Sequence, residues 1–364
     1  MNKTIRIDEL PAETQVRLPQ PLGFGRHFAR RMFRQIHTAE QGWHDARICA
    51  FAPLALDPAA VALHYGQSVF EGCKAYRRAD GDINLFRVDA NAARFNASAE
   101  RLAMPAVDVA FHCEAIRRLV LLERDWVPSA PGASLYIRPV MLGVEPTLEV
   151  RSAREFIHYV IVSPVGAFFP DGFKPIAVQV AHDFVRASPG GTGAVKTGGN
   201  YGAGLLGTER ARAAGYQQVL WLDGAQRRYV EEVGAMNIAF VYGAKHIRTP
   251  RLSGSILPGV TRDSILCLAP ELGFDATEER IDIEEVVRDI ERGDVTEVFG
   301  MGTAAVVAPI GRLGFRGRDL VINQMLAGPV AGALYQRLTD IQYGRAADSH
   351  GWVKRIEVPE PARV

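Results

Sequence analysis

Apolar and polar positions alternate in two successive textures along the chain. Residues 1–48 are polar and irregular around Gly23-Phe24-Gly25, which predicts a loop or an edge hairpin. Tyr76-Arg77 and Ile83 to Arg87, joined through Asp80-Gly81-Asp82, predict a β-hairpin with an Asp-Gly turn. Val88 to Met104 has helical spacing, with Asp89 as its cap and Pro105 as its stop. A second helix is expected from Phe111 to Trp126, with Ile116, Leu119 and Val120 inward and Glu123 and Arg124 outward. Ser134 to Val144 and Glu155 to Val165 read as strands, so the first domain is α+β and ends near residue 168. Residues 169–174 form the expected link, and residues 175–364 the second domain.

That second stretch opens on a strand, Pro175 to Val185, followed by a glycine-rich loop. A helix from Tyr201 to Ala214 stops at Gly215. Strands are expected at 219–222, 229–233 and 236–242, and helices from Thr261 to Leu272 and from Ile283 to Arg292. Glu297 to Ile310 reads as one strand interrupted by Gly300 and Gly302, and Ala327 to Tyr343 as the closing helix.

Composition narrows the function. The chain has 364 residues and a formal net charge of +1, which offers no overall attraction to nucleic acid or an anionic membrane. Met1 to Leu22 lacks the apolar core of a signal peptide, and no apolar run is long enough for a membrane span, which points to a cytoplasmic protein. The four cysteines are scattered without a CxxC pair, and the histidines lack paired ligand spacing, so neither disulfides nor a metal site is expected. Chemistry is left to lysine, carboxylates, tyrosines or an organic cofactor.

Lys196 stands between two glycine clusters in Gly190 to Gly204. Taken alone, that pattern favours a flexible connector, and the sharper alternative is a lysine presented to a bound group as phosphate ligand or nucleophile. Gly259 to Thr261 precedes a helix and suits an anion cradle, although Thr261 also suits a helix cap and Gly302 a β-bulge. Neither a P-loop nor a dinucleotide fingerprint is present. Alternation sends Glu231 and Glu232 to opposite faces of a strand, so at most one enters a site, and an acidic pair at a strand end is commonly solvated. A lysine, an anion cradle and a carboxylate are the three parts that pyridoxal 5'-phosphate requires.

Seven segments, in family order and spacing, resemble the branched-chain amino acid aminotransferases of the fold type IV pyridoxal-phosphate enzymes. They are His64 to Gly72, Leu85-Phe86-Arg87, Tyr136 to Pro139, Lys196 to Tyr201, Glu232 to Asn237, Leu257 to Thr261 and Gly302 to Ala304. The resemblance implies a smaller N-terminal α+β domain, a larger C-terminal domain and a cofactor at their interface. Lys196 would hold pyridoxal 5'-phosphate covalently and carry the transferred proton, two roles that need its amine neutral part of the time. Tyr201 would bond the phenolic oxygen and Glu232 the ring nitrogen. Arg87, Val260, Thr261 and Thr303 would hold the phosphate.

By the same resemblance, Phe24, Phe70, Tyr136 and Phe168 form the side-chain pocket and Arg138 meets the glutamate γ-carboxylate. Tyr65, Ala304 and Ala305 mark the α-carboxylate site. The Gly143–Val150 loop, ending at Val150, would reach the neighbouring pocket of a homodimer. The implied reaction is reversible amino transfer between leucine, isoleucine or valine and 2-oxoglutarate. D-amino acid aminotransferases and aminodeoxychorismate lyases share the fold, but they are shorter and lack the long N-terminal segment. A non-catalytic phosphate-binding scaffold is the reading from another class, and the retained lysine, tyrosine, glutamate and arginine speak against it. Three departures stand out: Ala305 and Ala308 replace the CxxC pair of some relatives, Phe168 replaces a common tyrosine, and Ala235 a frequent threonine.

Overall fold

The polar N-terminal stretch is more regular than its composition suggests. In the computed structural model, which describes residues 4–11, 16–167 and 172–359, β1 (Arg6–Ile7), β2 (Arg31–Thr38) and β3 (Gly42–Ala50) are strands. β2 and β3 pair antiparallel over Arg31↔Ala50 to Thr38↔Gly42. The polarity misleads because Gln35 is buried, held 3.0 Å from His158 Nδ1, while Phe33 and Ile48 fill the core beside it.

The chain then runs through α1 (Val61–Tyr65), β4 (Ser68–Phe70), β5 (Cys73–Arg77) and β6 (Ile83–Phe86). Next come α2 (Val88–Arg101), α3 (Val109–Leu122), β7 (Ser134–Gly143) and β8 (Phe156–Val165). The hairpin expected at residues 76–87 forms, with Gly81 at φ +92° in its turn. Arg87, not Asp89, caps α2, and it does so in the left-handed region at φ 48°. Asp108 caps α3 through the Phe111 N–H. Glu123, expected outside, is 2% exposed; it accepts from the backbone N–H of Arg30 and from Arg31, and burial raises its carboxyl above the ordinary range.

Contacts divide the chain into Met1–Phe168 with Ile341–Val364, and Phe169–Asp340. The second domain therefore does not run to residue 364, and the first unit is the larger of the two. The reason is a last strand, Val353–Ile356, that pairs antiparallel with β6 from Val353↔Phe86 to Ile356↔Ile83 and completes the first sheet. Among the described residues that sheet has nine strands.

The first unit also buries a histidine pair. His112 and His158 stack at 4.9 Å, and Phe95 packs against both rings. Burial pulls His112 down to about 4 and His158 well below its ordinary value. Both therefore fold neutral. As pH falls below the unfolded value of about 6.5, the unfolded chain takes up protons that the folded chain refuses, and stability drops. Stability is expected to fall by as much as about 1.4 kcal/mol per pH unit per histidine between pH 6.5 and 4. His112→Phe should flatten the urea-unfolding profile of the full chain over that window; an unchanged slope would contradict the assignment.

In the second unit β9 (Ile176–Val180) is shorter than predicted, and α4 (Gly198–Ala213) begins three residues earlier. β10 (Gln218–Leu222), β11 (Val230–Val233) and β12 (Asn237–Tyr242) follow, then β13 (His246–Pro250), α5 (Val260–Glu271) and β14 (Asp275–Glu279). β13 and β14 escape sequence reading because neither shows an apolar alternation; they pair in parallel with each other. α6 (Ile283–Arg292) has the predicted bounds, with Asp282 capping its start, Gly293 at φ +79° ending it, and Val286, Val287 and Ile290 inward.

The expected strand 297–310 is two strands, β15 (Val295–Gly302) and β16 (Val306–Phe315), paired as a hairpin. Gly302 thus ends a strand and is not a bulge. β17 (Arg318–Val321) and α7 (Pro329–Gln342) close the unit, whose described strands form a second nine-stranded sheet.

Candidate active site

The lysine loop joins β9 to α4 and is held in one shape. Asn200 Nδ2 donates to the carbonyls of Thr192 and Val195, both at 2.8 Å, and Oδ1 accepts from Thr192 Oγ1 at 2.6 Å. Gly193 has no room for a side chain: a Cβ would stand 2.2 Å from the Ser255 carbonyl oxygen. Gly190 adopts φ +78°, which disfavours other residues. Two of the glycines before the lysine thus answer to packing and to backbone conformation. The loop presents Lys196, whose Nζ donates to Tyr201 Oη at 3.0 Å from the first turns of α4.

Glu231 and Glu232 are both buried at 3% exposure, contrary to the expectation of a solvated pair. Glu232 Oε1 accepts from the Leu257 N–H at 2.6 Å and lies 3.0 Å from Arg186 Nη2. Burial raises its carboxyl, with Arg186 the strongest opposing influence. Arg186 itself is 8% exposed and donates to Gly193 O at 2.8 Å and Ser255 O at 2.6 Å. It ties the lysine loop, the segment before α5 and Glu232 together. Sequence reasoning missed it; an arginine ten residues ahead of the lysine, set between Val185 and Ala187, was the available signal.

α5 starts at Val260 with Gly259 as its N-cap, so Thr261 lies inside the helix, buried, and is not its cap. The Asp263 N–H closes onto the Gly259 cap carbonyl at 3.0 Å. A Cβ on Gly259 would meet Asn237 Oδ1 at 2.0 Å, so glycine is what allows this approach. Thr303 and Ala304 sit half-buried in the β15–β16 turn, whereas Ala305 is 2% exposed.

In the first unit, antiparallel register puts Tyr136, Arg138 and Phe70 on one face of the sheet. Arg138 Nη2 donates to Tyr136 Oη at 3.1 Å, and its guanidinium lies 4.8 Å from the Phe70 ring centre. Phe24 meets Tyr136 edge-on at 4.9 Å. Four expected pocket residues therefore converge. Gly72 is required there, since a Cβ would fall 1.9 Å from Tyr136 Oη. Lys74, directly across from Tyr136, was not foreseen: it is 6% exposed, and burial lowers its amine to about 7.

Tyr65 and Val150 stand apart from that group. Tyr65 Oη donates to the Leu148 carbonyl at 2.5 Å, and Val150 is 85% exposed on the loop after β7. Arg87 combines its left-handed backbone with a guanidinium 5.2 Å from the Trp352 ring, a strained arrangement common at functional positions. Phe168 lies outside the described residues.

The family model of the class IV amino-transferases matches residues 68–313, a stretch that holds the glycine-led start of α5, the loop-borne lysine bonded to a tyrosine and the buried carboxylate–arginine pair. The branched-chain-amino-acid aminotransferase of Mycolicibacterium smegmatis is 46% identical over 360 residues, covering 97% of this chain and 98% of that protein. Branched-chain-amino-acid transaminase 1 of Bacillus subtilis is 45% identical, covering 98% of this chain and 100% of that protein. Among solved structures, the branched-chain amino acid aminotransferase from Escherichia coli is similar at TM-score 0.70 and 26% identity, covering 90% of this chain and 98% of that one. The chain belongs to the branched-chain amino acid aminotransferase family.

Proposed function

We propose that this protein moves an amino group reversibly between leucine, isoleucine or valine and 2-oxoglutarate, with pyridoxal 5'-phosphate as cofactor. The buried Glu232–Arg186 pair carries this reading. A carboxylate kept dry but paired is suited to hold a proton on a heterocyclic nitrogen, and the flanking lysine and tyrosine match the cofactor's other polar edge. When bound, pyridoxal phosphate supplies an electron sink for the substrate's Cα. The protein does the rest. Lys196 would hold the cofactor and would carry the proton to and from the substrate's Cα, while Tyr201 Oη orients the Lys196 amine through their 3.0 Å bond.

The N–H groups of Val260 and Thr261, with the Thr303 hydroxyl and Arg87, are the proposed phosphate partners. Tyr65 and the N–H groups of Ala304 and Ala305 are assigned to the α-carboxylate. Phe24, Phe70 and Tyr136 offer an apolar wall to branched side chains, and Arg138 meets the glutamate γ-carboxylate. A homodimer in which the Gly143–Val150 loop enters the partner's pocket, and a cytoplasmic location, complete the proposal. Among the described residues no helix is long and apolar enough to cross a membrane.

The test is a panel of amino donors with 2-oxoglutarate, including both leucine enantiomers, run on wild type and Arg138→Ala. Wild type should use L-leucine, L-isoleucine and L-valine; preference for D-leucine would overturn the reading in favour of a D-amino acid aminotransferase. Arg138→Ala should cut kcat/KM for glutamate by roughly 10²-fold or more, as expected when a buried carboxylate loses its cation, and change leucine much less. Equal losses would refute the assignment of Arg138.

A further inference from the structure

The alternation of β11 that turns Glu232 to Arg186 turns Glu231 to the other face, where it lines a separate cavity of about 480 Å³. Glu231 is 3% exposed. Its Oε1 accepts from the Ser255 hydroxyl, and Ser255 Oγ meets Ser253 Oγ at 2.8 Å. Oε2 is enclosed and has no hydrogen-bond partner among the described residues. The other carboxylates on the rim are engaged: Asp223 accepts the backbone N–H groups of Gln226, Arg228 and Tyr229, and Glu279 is gripped by Arg248. Burial pushes the Glu231 carboxyl above its ordinary range, opposed by the Ser255 hydroxyl, the charge of Arg186 and the Ser253 hydroxyl.

The complement of such a carboxylate beside two hydroxyls is an ammonium, which brings three donors and a positive charge. The mouth has the opposite character. Arg251 and Arg280 line it, with the Arg280 guanidinium stacked 3.4 Å over the Tyr229 ring so that its edge donors suit a carboxylate. Ile256, Leu252 and Pro250 supply apolar wall between the two. We propose that this cavity is an effector site for an α-amino acid with an apolar side chain, its ammonium on Glu231 and its carboxylate at Arg251 and Arg280. Occupancy reaches the active site through one residue. The Ser255 carbonyl accepts from Arg186 Nη2, the same atom that meets Glu232 and the Gly193 carbonyl.

The coupling to the active site rests on the aminotransferase reading; the binding itself does not. In the test, holoenzyme is reduced with borohydride so that Lys196 is fixed to its cofactor, then titrated calorimetrically with L-leucine, isoamylamine and 4-methylpentanoate. L-Leucine should saturate a site, and each fragment should bind more weakly because it keeps only one of the two charged ends. Glu231→Gln, of nearly the same shape, should weaken leucine binding roughly tenfold or more. Arg280→Ala, on the exposed rim, should weaken leucine and leave isoamylamine unchanged. Absence of saturable leucine binding, or wild-type binding by Glu231→Gln, would overturn the proposal. Failure of the aminotransferase reading would instead show as a protein with no cofactor for borohydride to fix, and the leucine titration would then be run on the protein as purified.

Discussion

Lys196→Ala is expected to lower transamination by roughly ten-thousand-fold or more, because the proposed mechanism gives one amine both the hold on the cofactor and the proton transfer. The amine is aimed by the Tyr201 hydroxyl 3.0 Å away, and a phenol cannot replace the amine in a covalent link to the cofactor. The fold should survive. The loop is pinned by Asn200 and by the Arg186 bond to Gly193 O, and neither contact uses the lysine side chain. Steady-state rates with leucine and 2-oxoglutarate give the first readout, and borohydride trapping the second: wild type should retain cofactor through denaturation and the variant should not. A variant within a hundredfold of wild type would show that another group transfers the proton.

Arg186→Met is the second large effect, and its consequences are both structural and catalytic. Methionine fills part of the space but leaves Glu232 buried without a cation and the Gly193 and Ser255 carbonyls without their donor. Removing one partner of a buried ion pair costs about 3–5 kcal/mol, so the urea-unfolding midpoint should fall markedly. Burial already raises the Glu232 carboxyl against the pull of Arg186. Without the arginine it rises further, and Glu232 takes up a proton at pH values where wild type is ionised. A neutral acid holds a ring-nitrogen proton poorly, so kcat should fall more than KM rises. Arg186→Lys should not rescue, since an ammonium is more strongly hydrated than a guanidinium and costs more to bury where Nη2 meets all three oxygens. Wild-type kcat in either variant would refute the link between Arg186 and Glu232.

How much of this was legible beforehand depended on sequence distance. α6 was readable to its bounds because its cap, apolar stripe and terminal glycine all lie within a dozen residues. Lys196 and Tyr201 are five residues apart, and their pairing follows from one helix start. Seven motifs in order were enough to indicate the family. Glu123 and the acidic pair on β11 were misread for one reason: a charged residue looks solvent-facing until its partners are known. Those partners lie far along the chain, 92 residues away for Glu123 and Arg31. The return of the C-terminal tail to the first sheet was invisible on the same ground, because the strand Val353–Ile356 is short and finds its mate at β6.

By itself, then, the sequence determined the family and the local elements whose start and stop signals are close in the chain, and it singled out the lysine as the candidate. It also determined that Glu231 and Glu232 point to opposite faces, since strand alternation is a local property. Tertiary structure alone decided what covers each face: Arg186 on one, a cavity with an unpaired carboxylate oxygen on the other. It decided too that Lys74 is buried beside the Tyr136 wall and that the glycine before the lysine at position 193 is forced by the Ser255 carbonyl. Periodicity is written in the backbone geometry of each segment. Burial, and with it charge state and chemistry, depends on which distant segments pack against it.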